Sequence, residues 1–351
     1  MSYEDKVRKV VPYTPGEQPK IKNIIKLNTN ENPYPPAPGV EKLLKEMDIS
    51  EFRKYPDPSC TVLVDAIADF YNVDKNKVFV GVGSDDVLSM AFLTFFNSDK
   101  PILFPDITYS FYDVWANLYR IPFRQIPLRD DFTINSEDYY IDNGGIVIAN
   151  PNAPTGLELP LSEIEEIVKR NPDVVVIVDE AYVDFGGVSA LSLIDKYENL
   201  LVVQTFSKSR SMAGMRIGFA FGCPKLIKYL SDAKFSFNSY TMNMPSLYLG
   251  AAAIADREYF EKTTSMVVAT RERTKKELSN LGFVFGDSKT NFIFAIHPER
   301  EGKEIFDYLR SRGIIVRRFD SPRISQYLRI SIGTDGEMEQ LIAVLKEFLG
   351  K

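Results

Sequence analysis

Four short apolar runs are each followed at once by side chains able to do chemistry. Val78–Val80 leads into Gly81-Val82-Gly83-Ser84-Asp85, and Ile146–Ala149 into Asn150-Pro151-Asn152-Ala153-Pro154-Thr155-Gly156. Val174–Val178 leads into Asp179-Glu180-Ala181-Tyr182, and Leu201–Gln204 into Thr205-Phe206-Ser207-Lys208, with Arg216 eight positions further on. In parallel α/β sheets ligands gather at the carboxyl ends of the strands. If these strands share one sheet edge, that edge carries a carboxylate, a phenol, an amine, a guanidinium, several hydroxyls and a glycine-rich helix start. The helix start, Ser84 followed by Asp85 and Asp86, leaves free backbone N–H groups that attract an anion such as phosphate. It is not a complete dinucleotide fingerprint, because Asp86 occupies the place of the third glycine. Taken singly, Asp179 reads as a cap or ion-pair member and Lys208 as a surface lysine; the joint pattern is far more specific than its parts.

The elements that must position this set are legible in outline. Leu63, Ile67, Phe70 and Tyr71 fall on one helix face,. Ile102–Phe104 is another β-branched or aromatic run, and Val174–Val178 has no polar alternation, as expected of a strand covered on both faces,. Strands separated by helical patterns predict a mostly parallel sheet flanked by helices, an α/β class. Residues 12–38, with seven prolines, cannot be helical throughout,; they read as an extended arm whose Ile21, Ile24, Ile25 and Leu27 need cover. From Pro245 a long helical stretch to about Leu278 leads to strand-like 291–296 and 327–332, with a helix near 302–312 and a closing helix. The expected organisation is an amino-terminal arm over 1–38, a large domain over 39–244, and a smaller α+β domain over 245–351 entered by the long helix.

Composition narrows the chemistry. The chain has 351 residues, 44% hydrophobic and 26% charged, enough for a sizeable core,. Its formal charge of −6 argues against binding nucleic acid or anionic membrane by charge alone. Two cysteines, Cys60 and Cys223, offer neither a disulfide framework nor a cysteine zinc site,. One histidine, His297, excludes HExxH zincins and two-histidine mechanisms,; it reads as a surface loop residue, Asp130 and Asp131 as a solvated turn, and Trp115 as core. No GxSxG elbow precedes a helix, and no metal site is expected. The charged amino terminus and the lack of a long apolar run lead to the expectation of a cytoplasmic protein.

The segments NPNAPTG (150–156), DEAYVDF (179–185) and TFSKSRSMAGMRIGF (205–219) together resemble the fold type I aminotransferases that use pyridoxal 5'-phosphate (PLP). PYTPG (12–16), KLNTNENPYPPAP (26–38) and KYPDP (54–58) resemble in particular the subfamily acting on histidinol phosphate. The resemblance covers nearly the whole chain. It implies that Lys208 forms the internal aldimine with the cofactor and then serves as general base and acid, that Asp179 pairs with the pyridine nitrogen, and that Tyr182 bonds the ring phenolic oxygen. It implies Tyr109 stacked on the ring, and the cofactor phosphate on Ser84, Asp85, Thr205, Ser207 and Arg216. Where the family carries an asparagine before Pro-Thr-Gly, this chain has Ala153; either Asn152 reaches in or Tyr182 holds the phenolic oxygen with water, and the Ala153–Pro154 bond is a candidate for cis. Arg329 matches the carboxylate-binding arginine and Arg317 a second anion ligand, with Arg318 pointing to the opposite face if this is strand. Tyr13 and Asn30 are expected at the substrate pocket. Tyr55 matches a tyrosine that reaches the neighbouring subunit's cofactor phosphate, which implies a homodimer.

The resemblance therefore implies a ping-pong transaminase of histidine biosynthesis acting on histidinol phosphate or imidazole-acetol phosphate with glutamate or 2-oxoglutarate. An aromatic amino-acid aminotransferase and a threonine-phosphate decarboxylase-like lyase share almost all of these segments and stay open. A non-catalytic PLP-binding regulator is disfavoured by the retained Lys208 and by the absence of a basic helix-turn-helix pattern. A nicotinamide-dependent dehydrogenase is disfavoured by the incomplete glycine fingerprint and by the lack of a histidine near it.

Overall fold

The protein is described from a computed structural model covering residues 2–20 and 23–351. Ile21, expected to need cover, lies outside the described residues.

The arm contributes the two-residue strand β1 (Ile25–Lys26), then leads to helix α1 (Pro38–Glu46). Helix α2 (Thr61–Tyr71) is followed by strand β2 (Val78–Gly81), helix α3 (Ser84–Phe95), β3 (Ile102–Pro105), α4 (Tyr112–Tyr119), β4 (Phe123–Ile126) and β5 (Gly145–Ala149). Then come α5 (Leu161–Arg170), β6 (Val176–Asp179), β7 (Leu200–Thr205), β8 (Gly218–Gly222) and α6 (Pro224–Phe237). The seven strands β2–β8 form one sheet in the order β2-β8-β7-β6-β5-β3-β4. Pairing is parallel except where β8 runs antiparallel to β2 and β7. Strands β2, β3, β5, β6, β7 and β8 are buried along their whole length, as runs of Val, Ile and Leu covered on both faces must be. Side chains from the two faces feed two apolar clusters, one reaching α2, α5 and α7 (Met244–Ala255), the other reaching α3, α4 and α6.

The long helix expected after Pro245 is two helices: α7 ends at Asp256, whose backbone leaves the helical region, and whose carboxylate caps α8 (Arg257–Leu281) by accepting from the Tyr259 N–H at 3.0 Å,. Beyond it, β9 (Val284–Phe285), β10 (Phe292–Ile296), α9 (Gly302–Ser311), β11 (Ile314–Ile315), β12 (Arg317–Arg318), β13 (Leu328–Ser331) and α10 (Asp335–Leu349) follow. Four of these strands form an antiparallel sheet in the order β12-β13-β10-β9. The arm is tied to this part of the molecule: β1 pairs in parallel with β11, and Leu27 is buried in the cluster formed by α8, α9, α10 and the small sheet. Ile24 and Ile25 are half-buried. Among the described residues, no helix is long and apolar enough to cross a membrane.

His297 is a correction. It follows β10 directly in a buried position, where Nδ1 accepts from the Glu299 N–H, Nε2 lies 3.2 Å from the Leu281 carbonyl, and the ring meets Phe283 edge-on. The ring fills the gap under the end of α8, a packing role that the neighbouring charged residues conceal. Asp130 and Asp131 are exposed and Trp115 is core.

Candidate active site

The glycine-rich turn after β2 opens α3 with no side-chain cap at Gly83, so its first N–H groups are free for an anion. The turn is held tightly. A side chain at Gly218 on β8 would overlap the backbone of Gly83 and Ser84, and one at Gly83 would collide with the Arg216 guanidinium. Arg216 reaches over from the residue pair preceding β8, in left-handed backbone conformation (φ 52°), and its Nη2 lies 3.1 Å from Asp85 Oδ2. The other Asp85 oxygen accepts from the Tyr109 hydroxyl at 2.7 Å. The carboxylate of Asp85 thus orients both the guanidinium and the phenol beside the helix start. At the end of β7, Thr205 accepts from the Ser207 N–H and sits 3.1 Å from its hydroxyl, presenting two more hydroxyls to the same spot.

Asp179 ends β6 and is buried. Tyr112, fully buried on α4, donates to its Oδ2 at 2.8 Å, and the Ala181 N–H donates to Oδ1. Burial raises the Asp179 pKa to about 6, against the pull of the Tyr112 hydrogen bond,. Burial also pushes the Tyr112 and Tyr109 phenols up, with the neighbouring Asp179 and Asp85 carboxylates adding to the effect. Lys208 Nζ donates to the Thr29 carbonyl of the arm at 3.1 Å and lies 5.6 Å from the centre of the Tyr182 ring. Asn32 steadies the lysine loop by donating to the Lys208 and Ser209 carbonyls. The Tyr182 hydroxyl accepts from Asn30 Nδ2 at 3.0 Å.

These residues border two adjoining clefts. The first, about 600 Å³, is lined by Ser84, Asp85, Thr205, Ser207 and Arg216 and by Ala149, Asp179 and Ala181. The second, about 760 Å³, is walled by Tyr13, Thr29, Asn30, Arg317 and Arg329. Tyr109, Ala153, Tyr182 and Lys208 border both. In the second cleft Tyr13 stacks on Phe111 with ring centres 4.1 Å apart. Arg317 and Arg329 are direct cross-strand neighbours on β12 and β13. Like charges placed so are unfavourable unless an anion lies between them. Arg329 donates to the Asn28 carbonyl at 3.0 Å, while its buried Nε has no partner. Loss of hydration holds the Arg329 pKa below its ordinary value, and Arg317 adds to the lowering.

Sequence reasoning brought most of its candidates to these clefts and misplaced one. Asn152 does not reach in: its amide donates to the Ile107 carbonyl and Thr155, and its oxygen accepts from Thr108. The neighbouring Ala153 lines the cleft instead, and both the Asn150–Pro151 and Ala153–Pro154 bonds are cis. Tyr55 lies outside both clefts, 80% exposed and stacked on Tyr240 at 4.6 Å. Tyr112 and Thr29 were missed. Tyr112 lies three positions after Tyr109, on the first turn of a helix leading away from a strand end, and that spacing was the available signal. The Thr29 contact is a backbone carbonyl and left no mark in the sequence.

The first cleft fits the cofactor that the resemblance implies. Its lining combines an anion cradle that glycine alone permits, a buried carboxylate, an amine and a phenol. Among the described residues, no cluster of metal-ligating side chains is present.

The sequence pattern of the family described as "Aminotransferase class I and II" matches residues 22–345. The chain is 51% identical over 349 residues to a histidinol-phosphate aminotransferase of Lactococcus lactis subsp. cremoris, covering 99% of this chain and 98% of that one. It is 53% identical over 342 residues to a histidinol-phosphate aminotransferase of Clostridium botulinum, covering 97% of each. Among solved structures, the histidinol-phosphate aminotransferase of Sinorhizobium meliloti in complex with pyridoxal-5'-phosphate superposes with a TM-score of 0.83 at 23% identity, over 93% of this chain and 91% of that chain. The histidinol-phosphate aminotransferase of Clostridium acetobutylicum gives 0.85 at 20% identity, over 93% and 99%.

Proposed function

The chain belongs to the class I and II aminotransferase family, and from that premise we propose that it moves an amino group between histidinol phosphate and 2-oxoglutarate, with PLP as cofactor, in histidine biosynthesis. The observation that carries this reading is the meeting of the two clefts at Lys208, Tyr182 and Tyr109. A cofactor-sized cleft with an anion cradle opens onto a second cleft that combines an aromatic wall with two unneutralised guanidinium groups.

When bound, PLP supplies an aldehyde that holds the substrate amine and a ring that accepts the electrons released at the substrate's α-carbon. The first N–H groups of α3, Thr205, Ser207 and Arg216 hold its phosphate, the guanidinium fork bonding phosphate oxygens in pairs. Asp179, fixed by Tyr112 and the Ala181 N–H, keeps a proton on the ring nitrogen. A buried carboxylate with no cation beside it is poorly stabilised, so the proton on that nitrogen gives Asp179 the partner the fold withholds. Tyr109 and Tyr182 line the same cleft; Tyr109 would stack on the cofactor ring, and Tyr182 would donate to its phenolic oxygen. Lys208 would hold the cofactor, and its amine, which borders both clefts, would carry the proton to and from the substrate α-carbon.

Arg329 and Arg317 bind the substrate's anion. Glutamate presents a carboxylate and histidinol phosphate a phosphate ester, and planar guanidinium groups bond either in pairs. Tyr13, resting on Phe111, offers a flat apolar surface to the imidazole ring, and Asn30 borders the same pocket. We further propose a cytoplasmic homodimer in which Tyr55, exposed and unable to reach its own cleft, hydrogen-bonds the cofactor phosphate of the neighbouring subunit.

The experiment is a comparison of kcat/KM for histidinol phosphate, phenylalanine and threonine phosphate, with 2-oxoglutarate as acceptor and carbon dioxide release followed alongside. Histidinol phosphate is expected to be preferred by at least about a hundredfold, the size of a lost charge-assisted pair of hydrogen bonds. Equal use of phenylalanine would move the assignment to aromatic substrates, and carbon dioxide from threonine phosphate to a decarboxylase.

A further inference from the structure

The phenol that faces both clefts is gripped from behind by the arm. Asn30 is buried, with 1% of its surface exposed, and donates from Nδ2 to the Tyr182 hydroxyl at 3.0 Å. Ser331, on β13, sets the sense of that bond. Its Oγ accepts from the Asn30 backbone N–H at 2.9 Å and gives its single proton to Asn30 Oδ1 at 2.8 Å. With Oδ1 engaged as acceptor, the amide's donor end is the one turned to the phenol. The Asn30 backbone is fixed by Asn291, which donates to its carbonyl at 2.9 Å, and sits in the left-handed region (φ 56°), which asparagine tolerates,. A phenol has one proton. Accepting from Asn30 leaves the Tyr182 proton directed toward the clefts. Ala149, Pro151, Ala153 and Ala181, which line the first cleft with Tyr182, bring no polar side-chain atom to it, and Asn152 is turned away.

We propose that Asn30 is a positioning residue that makes Tyr182 an obligate hydrogen-bond donor to the cofactor's phenolic oxygen, with Ser331 fixing the orientation of the Asn30 amide. The inference rests on the PLP reading above. It gives the arm a part in tuning the cofactor as well as in closing the substrate pocket. The same stretch of arm is tethered twice to β13, Asn30 by Ser331 and Asn28 by Arg329, so the strand that carries the anion-binding arginine also holds the group that orients the phenol.

A donor to the phenolic oxygen favours the form in which the proton on the lysine linkage has left and negative charge sits on that oxygen. Weakening the donor keeps the proton on to higher pH. The test is a pH titration of the visible absorbance band of the cofactor-loaded protein. Asn30→Gly, which removes the amide and keeps the left-handed backbone at ease, is expected to raise the midpoint by about 0.5–1 pH unit, the size of one hydrogen bond. Ser331→Ala, which frees the amide to turn and also removes the acceptor of the Asn30 backbone N–H while Asn291 still holds the Asn30 carbonyl, is expected to raise it by less. In a Tyr182→Phe background, where there is no phenol to orient, Asn30→Gly is expected to leave the midpoint unchanged. An equal shift in the Tyr182→Phe background would mean that Asn30 acts through general structure and would overturn the proposal, as would an unshifted midpoint with Tyr182 present. A loaded protein with no visible band at all would overturn the PLP reading, and the proposal with it.

Discussion

The two walls of the site are built in opposite ways. Ser84, Asp179, Thr205 and Lys208 hang from the carboxyl ends of strands buried along their whole length in one seven-stranded sheet. Each lies within a few positions of its strand; Thr205 is fixed locally by Ser207, Asp179 by the Ala181 N–H and by Tyr112 of α4, and Lys208 alone of the four also reaches the arm, at Thr29 and Asn32. Tyr13, Asn30, Arg317 and Arg329 come from the arm, from a two-residue strand and from a strand of the small sheet. Their fixings join chain positions up to 301 apart, as in the Asn30–Ser331 and Arg329–Asn28 bonds. The sheet-end wall has the packing of a core and suits steps that need atoms held to fractions of an ångström. The arm wall has few backbone ladders and two unneutralised guanidinium groups; it suits a surface that must meet two different anionic substrates in turn.

This contrast can be broken or sharpened by substitution. The largest effect is expected on the sheet-end wall. Lys208→Ala removes the amine common to both clefts and should lower transamination by at least about 10⁴-fold, while absorbance of a noncovalently held cofactor persists; turnover near the original rate would break the mechanism. Asp179→Asn, which keeps the shape and the Tyr112 contact but loses the charge, should lower kcat by about 10²–10³-fold with little change in KM.

The same carboxylate makes a stability prediction. Burial raises its pKa to about 6, above the ordinary carboxylate value. Folding therefore favours the protonated form: its contribution is full below the ordinary pKa and is lost as pH rises through about 6. Protein freed of cofactor should lose up to about 3 kcal/mol of stability between pH 4 and 7 from this group. Glu180, pushed to about 7 by burial, acts in the same direction. Denaturant melts against pH should show a shallower decline in Asp179→Asn; an identical decline would deny Asp179 its buried, uncompensated charge.

On the arm wall the effect should be smaller and fall on binding. Arg329→Ala should raise KM for glutamate and histidinol phosphate together by about 30-fold, as one charge-assisted interaction is lost, with kcat less affected. A change confined to kcat would place Arg329 in the chemistry and blur the division between the walls. The smallest effect is expected of Tyr55→Phe: about a threefold to tenfold weaker retention of PLP, measured by dialysis. Unchanged retention would count against a phosphate contact from the neighbouring subunit.

The same contrast governs what the sequence revealed. Asp179, Tyr182, Lys208 and Arg216 could be found as a set because each follows a strand that its own apolar run announces. The Gly218–Gly222 strand was missed, since its small residues and phenylalanines give no β-branched signal, although its glycine is what lets the anion cradle close. The end of α7 at Asp256 was hidden because apolar spacing continues on both sides of a side-chain cap. Nothing in residue type or spacing predicts that Asn30 meets Ser331 or that Arg317 faces Arg329. Two-residue strands carry no period, and contacts across 301 positions are a property of topology. Those residues were reached through resemblance alone. Asn152 was misplaced for a related reason: which of two adjacent residues enters a cleft depends on a turn of two cis prolyl bonds that the chain does not announce.

The most direct test of the central claim, one cofactor cleft and one anion-selecting cleft meeting at Lys208, is the visible absorption spectrum of the purified protein through one cycle of substrates. The account predicts a yellow band that histidinol phosphate discharges and 2-oxoglutarate restores. A protein that stays colourless after PLP is added, or a yellow band that histidinol phosphate leaves untouched, would contradict it.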